Sequence, residues 1–172
     1  QNLLVTPEEL AAATETIDSA LLATLRRAAA NIERFHQLQK RAGFIDAQAE
    51  GVIIGQRVLP LETVGLYAPG GTARYPSSVL MAAIPAKIAG VSNIVLCTPP
   101  DSTGSVPAVI LAAAAIAGVS QIVKLGGAQA VAAMAYGTQS VPRVDKIVGP
   151  GNIYVATAKQ LCFARGLAAI DM

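Results

Sequence analysis

The residues Gly149-Pro150-Gly151-Asn152 stand between an apolar run and a helix-forming run, in the stretch KIVGPGNIYVATAK. Strand, tight turn and helix in this order form the arrangement with which many nucleotide-binding proteins bring backbone N–H groups up to a phosphate. The turn departs from the G-x-G-x-x-G pattern, because Tyr154 occupies the place of the third glycine. A tight turn in which Asn152 only caps the helix accounts for the same residues. Turn chemistry alone therefore leaves both interpretations open.

Two further polar side chains follow predicted strands. Gln129 lies in the first turn of a short Ala-rich helix that begins in GGAQA, and Tyr67 ends a strand in GLYAPGG. Each has an ordinary alternative, since a Gln in a first helical turn usually faces water and an aromatic residue at a strand end usually packs. The carboxyl ends of parallel strands meet at one edge of a sheet, where ligands bind. The convergence of Tyr67, Gln129 and Asn152 predicts a cofactor site at that edge.

An internal repeat predicts the elements that position these residues. The segment AKIAGVSNIVLC resembles the later segment AAIAGVSQIVKL, and Gly90 and Gly118 occupy equivalent places in the two. Each glycine stands where a helix can end in a left-handed residue, and a Val/Ile run typical of a strand buried on both faces follows it. Repetition of this unit predicts an α/β fold, a parallel sheet with flanking helices and right-handed crossovers. Strands are predicted near 62–67, 93–97, 121–125 and 144–148, and helices near 77–89, 105–117, 128–136 and 152–165.

An amphipathic helical arm precedes this domain. TPEEL predicts a helix start, with Thr6 as the N-cap, Pro7 in the first helical position and Glu9 completing a capping box. The helical period then continues to near Gly43, as one helix or as two in line. Its apolar stripe is longer than one small α/β domain needs to cover, so we expect the arm to serve assembly or docking.

The predicted division of the chain falls at residue 58. Residues 1–58 are assigned to the helical arm and a first strand, and residues 59–172 to an α/β domain that carries the predicted cofactor edge. The segment GVIIGQRVLPLETVGLYAPGG spans this boundary and predicts two strands, with a turn around Leu59-Pro60 between them.

Composition restricts the classes of function. The 172 residues are 53% hydrophobic and 14% charged, which is typical of a globular chain with a buried core. A formal net charge of +2 from scattered basic residues predicts no nucleic-acid surface, and no segment has the layout of a signal peptide or a membrane span. Cys97 and Cys162 lie far apart in the sequence, which favours a reducing, cytoplasmic location.

The sequence contains few residues that are placed to act as general acids or bases or as metal ligands. His36 is the single histidine and has no Cys, Asp or His partner at metal-ligand spacing. No Ser-His-Asp set can be built around it, and neither Cys97 nor Cys162 has a visible activating base. We therefore assign no catalytic residue and no metal ligand within this chain.

Three long motifs resemble those of the histidinol dehydrogenase family: VGLYAPGGTARYPSSVLMAAIPAKIAGV, VKLGGAQAVAAMAYGT and VDKIVGPGNIYVATAK. The resemblance covers residues 59–172 and extends more loosely into ANIERFHQLQ. It implies an incomplete Rossmann-like fold that is similar in outline to the aldehyde dehydrogenases. It also implies the oxidation of L-histidinol to L-histidine through histidinal, the last step of histidine biosynthesis, by a zinc-containing homodimer that uses NAD. On the matching motifs, the NAD contacts of the family fall at Tyr67, Gln129 and Asn152.

The resemblance also implies that this chain is a fragment. The zinc ligands, the catalytic Glu-His pair and the residues that hold histidinol in the family all follow the point where this sequence stops. We therefore expect the chain to carry the cofactor side of the site and to be inactive alone. A stand-alone α/β nucleotide-binding or scaffold module without catalysis is the alternative interpretation.

Overall fold

The computed structural model describes residues 2–48, 50–70 and 74–171. Its helices and strands follow one another in this order: α1 (Pro7–Thr16), α2 (Ser19–Gln37), β1 (Phe44–Asp46), β2 (Ile54–Gln56), β3 (Thr63–Tyr67), α3 (Pro76–Ile88), β4 (Asn93–Thr98), α4 (Ala108–Ala117), β5 (Gln121–Lys124), α5 (Gly127–Tyr136), β6 (Lys146–Val148), α6 (Ile153–Ala164) and β7 (Ala169–Ile170).

The centre of the molecule is a five-stranded parallel sheet with the strand order β5-β4-β3-β6-β7. The chain runs outward from β3 through β4 to β5 and then returns to place β6 on the other side of β3. Helices α3 and α4 cover one face of the sheet, whereas α5 and α6 cover the other. The predicted α/β fold with a parallel sheet and flanking helices is confirmed.

Successive side chains of each central strand point alternately into the two hydrophobic cores, one on each face of the sheet. In β3, Val64 and Leu66 face α3 and α4, whereas Tyr67 faces α5. Strand β4 repeats the pattern, with Ile94 and Leu96 on the first face and Val95 and Cys97 on the second; all are buried. Because both faces are covered, the central strands contain almost no polar side chains.

The repeat units of the α/β domain lie close to their predicted places. Gly90 and Gly118 both adopt positive φ, at 89° and 78°, as their positions after a helix predicted. Helix α4 begins at Ala108 rather than near residue 105, because Pro107 is extended and serves as the N-cap. Two elements were missed: β7, which has only two residues, and β1, which forms an antiparallel pair with β2 outside the main sheet.

The arm consists of two helices that pack on the α/β domain, and Ile17 and Asp18 between them have non-helical backbone angles. The Thr6 hydroxyl accepts from the Glu9 N–H and the Glu9 carboxylate accepts from the Thr6 N–H, so the predicted capping box is confirmed. Helix α1 packs on α4 and α2 packs mainly on α3, and Leu25 joins the same core as the strands. Part of the apolar stripe stays exposed, including Leu21 at 41% and Phe35 at 59%. The domain boundary at residue 58 stays a prediction.

The N-terminal segment also closes one edge of the sheet. Leu4 forms an antiparallel bridge with Val123 of β5, and the Lys124 ammonium lies 2.5 Å from the Glu9 carboxylate. The β1–β2 hairpin is different, since Phe44, Ile45 and Ile54 are largely exposed. Within the described residues, no helix is long and apolar enough to cross a membrane.

Burial of Cys97 makes the stability of this fold depend on pH. The Cys97 side chain is fully buried, and burial raises the pKa of its thiol from 9.0 to about 12. The unfolded chain therefore loses this proton at a lower pH than the folded chain, so the thiol's contribution to stability falls as the pH rises above 9. Between about pH 8 and about pH 10.5 we expect the difference in unfolding free energy between wild type and Cys97→Ala to shrink by about 2 kcal/mol.

The control for this pH experiment is Leu96→Ala, which removes a neighbouring buried side chain that does not titrate. Denaturant titrations of the three proteins should give a constant difference for Leu96→Ala across the same range. A difference for Cys97→Ala that does not change with pH would contradict the raised thiol pKa.

Candidate functional site

The connections from β3 and β6 leave toward opposite faces of the sheet. β3 leads into α3 on one face, and its neighbour β6 leads into α6 on the other. The carboxyl ends of two such strands open a crevice, which is the usual ligand position in a doubly wound sheet. Tyr67 ends β3, and the turn from Gly149 to Asn152 follows β6 directly. This edge is the candidate cofactor site.

The turn after β6 is tightly packed against the end of β3. Gly149 adopts φ of 106°, and a Cβ atom at this position would collide with the carbonyl oxygen of Tyr67. At the other end of the turn, the Asn152 carboxamide oxygen accepts from the Val155 N–H at 3.1 Å and caps α6. The capping interpretation of Asn152 is therefore confirmed. The side chain is exposed, and its NH₂ group retains the donors that a ligand could accept from.

Tyr67 lies at the predicted edge, but its side chain is only 5% exposed. Its ring packs in the core beneath α5, and its hydroxyl oxygen accepts from the Gly127 N–H at 3.0 Å. The ring therefore presents no open face on which a nucleotide base could stack. Tyr67 instead ties the end of β3 to the first residue of α5, across the intervening strand β4.

Gln129 is exposed on the first turn of α5. Its carboxamide oxygen lies beside Gly127, the residue that Tyr67 holds, since a Cβ atom on Gly127 would come within 2.7 Å of it. Pro99, just after β4, packs tightly against Gly126, where a Cβ atom would come within 2.5 Å of the proline ring. The loops after β3, β4, β5 and β6 are thus in mutual contact at one edge.

Two of the surface clefts formed by the described residues are not lined by Tyr67, Gln129 or Asn152. The larger, of about 1110 Å³, runs along α3 and beside β6; Ser78, Met81 and Lys146 are among its lining residues. The smaller, of about 410 Å³, lies between the loops after β3 and β4. Tyr67 thus lies at the predicted edge with its side chain covered by the loop that it holds, whereas Gln129 and Asn152 stay exposed there.

Sequence reasoning missed Lys159, which the structure places under the turn. Lys159 is 2% exposed, and its ammonium donates to the carbonyl oxygen of Gly149 at 2.5 Å and to that of Asp171 at 2.8 Å. Burial lowers the pKa of this lysine, and the nearby Asp171 carboxylate opposes that shift. Helical spacing was the available signal, because Lys159 falls on the face of α6 that carries Val155 and Cys162, both buried.

Metal-ligating groups do not cluster in the part of the chain that the structure describes. No group of three or more His, Cys, Asp or Glu side chains there could hold a metal ion. His36 lies at the end of α2, where its Nδ1 is 2.6 Å from the Gln39 carboxamide oxygen. Cys97 and Cys162 are both buried free thiols, and burial raises the pKa of each.

Comparison with known proteins gives one consistent family. The family model described as "Histidinol dehydrogenase" matches residues 1–172. The histidinol dehydrogenase of Listeria innocua is 57% identical over 170 residues, which are 99% of this chain and 39% of that protein. The histidinol dehydrogenase of Geobacillus kaustophilus is 54% identical over 171 residues, 99% of this chain and 40% of that protein.

A solved structure gives the same result. The crystal structure of histidinol dehydrogenase from Elizabethkingia anophelis superposes with a TM-score of 0.95 at 43% sequence identity, over 100% of this chain and 40% of the other. The chain thus spans about two fifths of the length of the relatives that it matches.

The close packing at Gly149 yields a prediction about stability. In Gly149→Ala the new methyl group would meet the Tyr67 carbonyl, and the alanine would adopt a φ that L-residues rarely tolerate. We expect a loss of about 2–4 kcal/mol of unfolding free energy, measured by urea titration. Gly51→Ala is the matched control, because Gly51 also has positive φ but no atom lies within 4 Å of its Cβ position. Equal losses in the two variants would show that backbone strain alone, and not the contact with β3, restricts the turn.

Proposed function

The chain belongs to the histidinol dehydrogenase family, and from this premise we propose that it forms the NAD-binding side of an enzyme that oxidises L-histidinol to L-histidine through histidinal. The observation that supports this most directly is the crevice between β3 and β6, at which the Gly149–Asn152 turn and the N-terminus of α6 meet. Backbone N–H groups at a helix N-terminus suit the pyrophosphate of a dinucleotide.

The residues at this edge fit a dinucleotide by their chemistry. Asn152 and Gln129 both present exposed carboxamides, which can donate to ribose hydroxyl and phosphate oxygens. Gly149 and Gly151 let the turn close tightly against Tyr67 and Val155, where a Cβ atom would collide, and this packing fixes where the backbone of the turn would meet a ligand. We assign Tyr67 an indirect part, because its ring is buried and its hydroxyl oxygen accepts from the Gly127 N–H, which positions the first turn of α5 that carries Gln129.

Each oxidation in the proposed reaction removes two electrons as a hydride. When bound, NAD supplies the acceptor for that hydride, first from the alcohol and then from the hydrated aldehyde. The chain's own part is to bind and orient: Asn152, Gln129 and the turn after β6 would hold the dinucleotide at the sheet edge. We assign the general base, the residues that contact histidinol and the zinc ligands to the remaining three fifths of the family's length.

Further properties of the family are proposed for the intact protein. We infer that it is a zinc-containing homodimer in the cytoplasm, with residues 1–58 as an arm and residues 59–172 as the NAD-binding domain. The exposed apolar residues Phe35, Phe44 and Ile45 support an assembly role for the arm and its hairpin. The two buried free thiols agree with a reducing compartment.

A binding module without catalysis is the second candidate, since the helix N-terminus and the carboxamides at the sheet edge could serve dinucleotide binding alone. The two candidates differ in what happens when the coding sequence is extended to the length of the relatives. The enzyme interpretation predicts zinc and turnover in the longer protein. The module interpretation predicts NAD binding and no turnover in either.

The first prediction concerns the side-chain amide of Asn152. In Asn152→Ser the hydroxyl can still cap α6, whereas the NH₂ donors are lost. We expect the unfolding free energy to change by less than about 0.5 kcal/mol and the affinity for NAD, measured by calorimetry, to fall about tenfold. Gln160→Ala, which removes an exposed amide elsewhere on α6, is the control and should leave NAD affinity unchanged. Unaltered NAD binding by Asn152→Ser would remove Asn152 from the site.

The second prediction concerns which part of the protein binds zinc and catalyses the reaction. The purified 172-residue chain should hold no stoichiometric zinc and should form no NADH from histidinol and NAD in excess, because about four converging ligands and a base are required. The protein extended to the relatives' length should show both. Stoichiometric zinc together with turnover in the short chain would mean that the catalytic groups lie within it.

A further inference from the structure

Lys159 is a buried cation that forms no salt bridge with any of the residues that the structure describes. Its side chain lies on the inner face of α6, and the residue is only 2% exposed. Lysine is almost never fully buried unless it is paired, because removal of an ammonium from water is costly. Within the described residues, the one salt bridge joins Lys124 to Glu9, and none involves Lys159.

The two partners of Lys159 are backbone carbonyl oxygens from different segments. One belongs to Gly149, which opens the turn at the crevice, and the other to Asp171, just after β7. Carbonyl dipoles satisfy two of the three ammonium donors but do not neutralise the charge. The lowered pKa of this lysine agrees with incomplete compensation by its surroundings. An apolar side chain such as methionine could fill the same space without that cost.

The position of these carbonyls gives Lys159 a specific effect on the turn. Gly149 is packed against the end of β3 and cannot shift toward it. A donor on its carbonyl oxygen fixes the plane of the peptide between Gly149 and Pro150, and hence the direction in which the chain enters Gly151 and Asn152. The same ammonium holds the segment that leaves β7, so the two segments are joined through one side chain.

We propose that Lys159 is a positioning residue that locks the Gly149–Asn152 turn to the backbone at Asp171, so that cofactor affinity depends on the conformation of the chain after β7. The proposed effect on cofactor affinity rests on the proposed function, whereas the link that Lys159 makes between the turn and Asp171 does not. A side chain that served packing alone would support α6 but would leave the turn and the exit from β7 independent of each other.

The test compares Lys159→Met, which keeps the length and loses the charge, with Cys162→Ala, which removes another buried side chain from the same helix. Amide hydrogen exchange is followed at Val155, whose N–H bonds to the Asn152 side chain, and at Asp171, whose N–H bonds to the Ile147 carbonyl. The Val5 amide, bonded to Ile122 at the far edge of the sheet, serves as the reference. NAD affinity is measured on the same proteins.

In Lys159→Met we expect exchange at Val155 and at Asp171 to accelerate together, by about tenfold relative to Val5, and NAD affinity to fall by about tenfold. Cys162→Ala should change exchange at Val5, Val155 and Asp171 in the same proportion and leave NAD affinity unchanged. Accelerated exchange at only one of these two amides, or at neither, would show that Lys159 does not join the two segments.

Accelerated exchange at both sites with unaltered NAD affinity would overturn the positioning role in cofactor binding. Failure of the unmodified chain to bind NAD would contradict the proposed function, and the exchange measurement would then decide by itself whether Lys159 joins the two segments.

Discussion

The contact between Gly149 and the carbonyl oxygen of Tyr67 is the constraint on which the candidate site depends. It exists because β6 returns to pair with β3 after the chain has already placed β4 and β5 on the other side. Only a glycine with positive φ can lie so close to the neighbouring strand end. The turn that follows must therefore leave the sheet in one direction, and that direction places Asn152 at the start of α6. The crevice is a consequence of this strand order.

The same edge is held together from three sides. Tyr67 bonds to the first N–H group of α5, Pro99 packs against Gly126, and Lys159 bonds to the carbonyl of Gly149 from beneath. All three contacts lie inside the protein, between the strand ends and the helices that cover the sheet. The exposed groups, the carboxamides of Gln129 and Asn152, are therefore carried on a rigid support. Such an arrangement suits a binding edge better than a centre for acid–base chemistry, which the proposal assigns to the rest of the family's length.

Sequence patterns predicted the parts of the fold that repeat and missed the parts that depend on long-range packing. Glycines after helices and unalternating Val/Ile runs located the strands from β3 to β6 and their helices to within a few residues. The strands β1 and β7 have only three and two residues, which is too short for an alternation of apolar and polar residues to be recognised. Tyr67 was placed at the correct edge, but its burial depends on the loop before α5, which no local pattern describes. Sequence patterns did not single out Lys159, because its partners lie 10 and 12 residues away and are backbone atoms.

The central claim is that a dinucleotide binds at the carboxyl edge between β3 and β6. The most direct measurement is a titration of the isotope-labelled chain with NAD, followed by backbone amide chemical shifts. The account predicts that the largest changes occur at Gly127–Gln129 and at Gly151–Val155. Changes concentrated instead at Ser78, Met81 and Lys146, along the large cleft beside α3, would place the ligand on another surface and contradict the account.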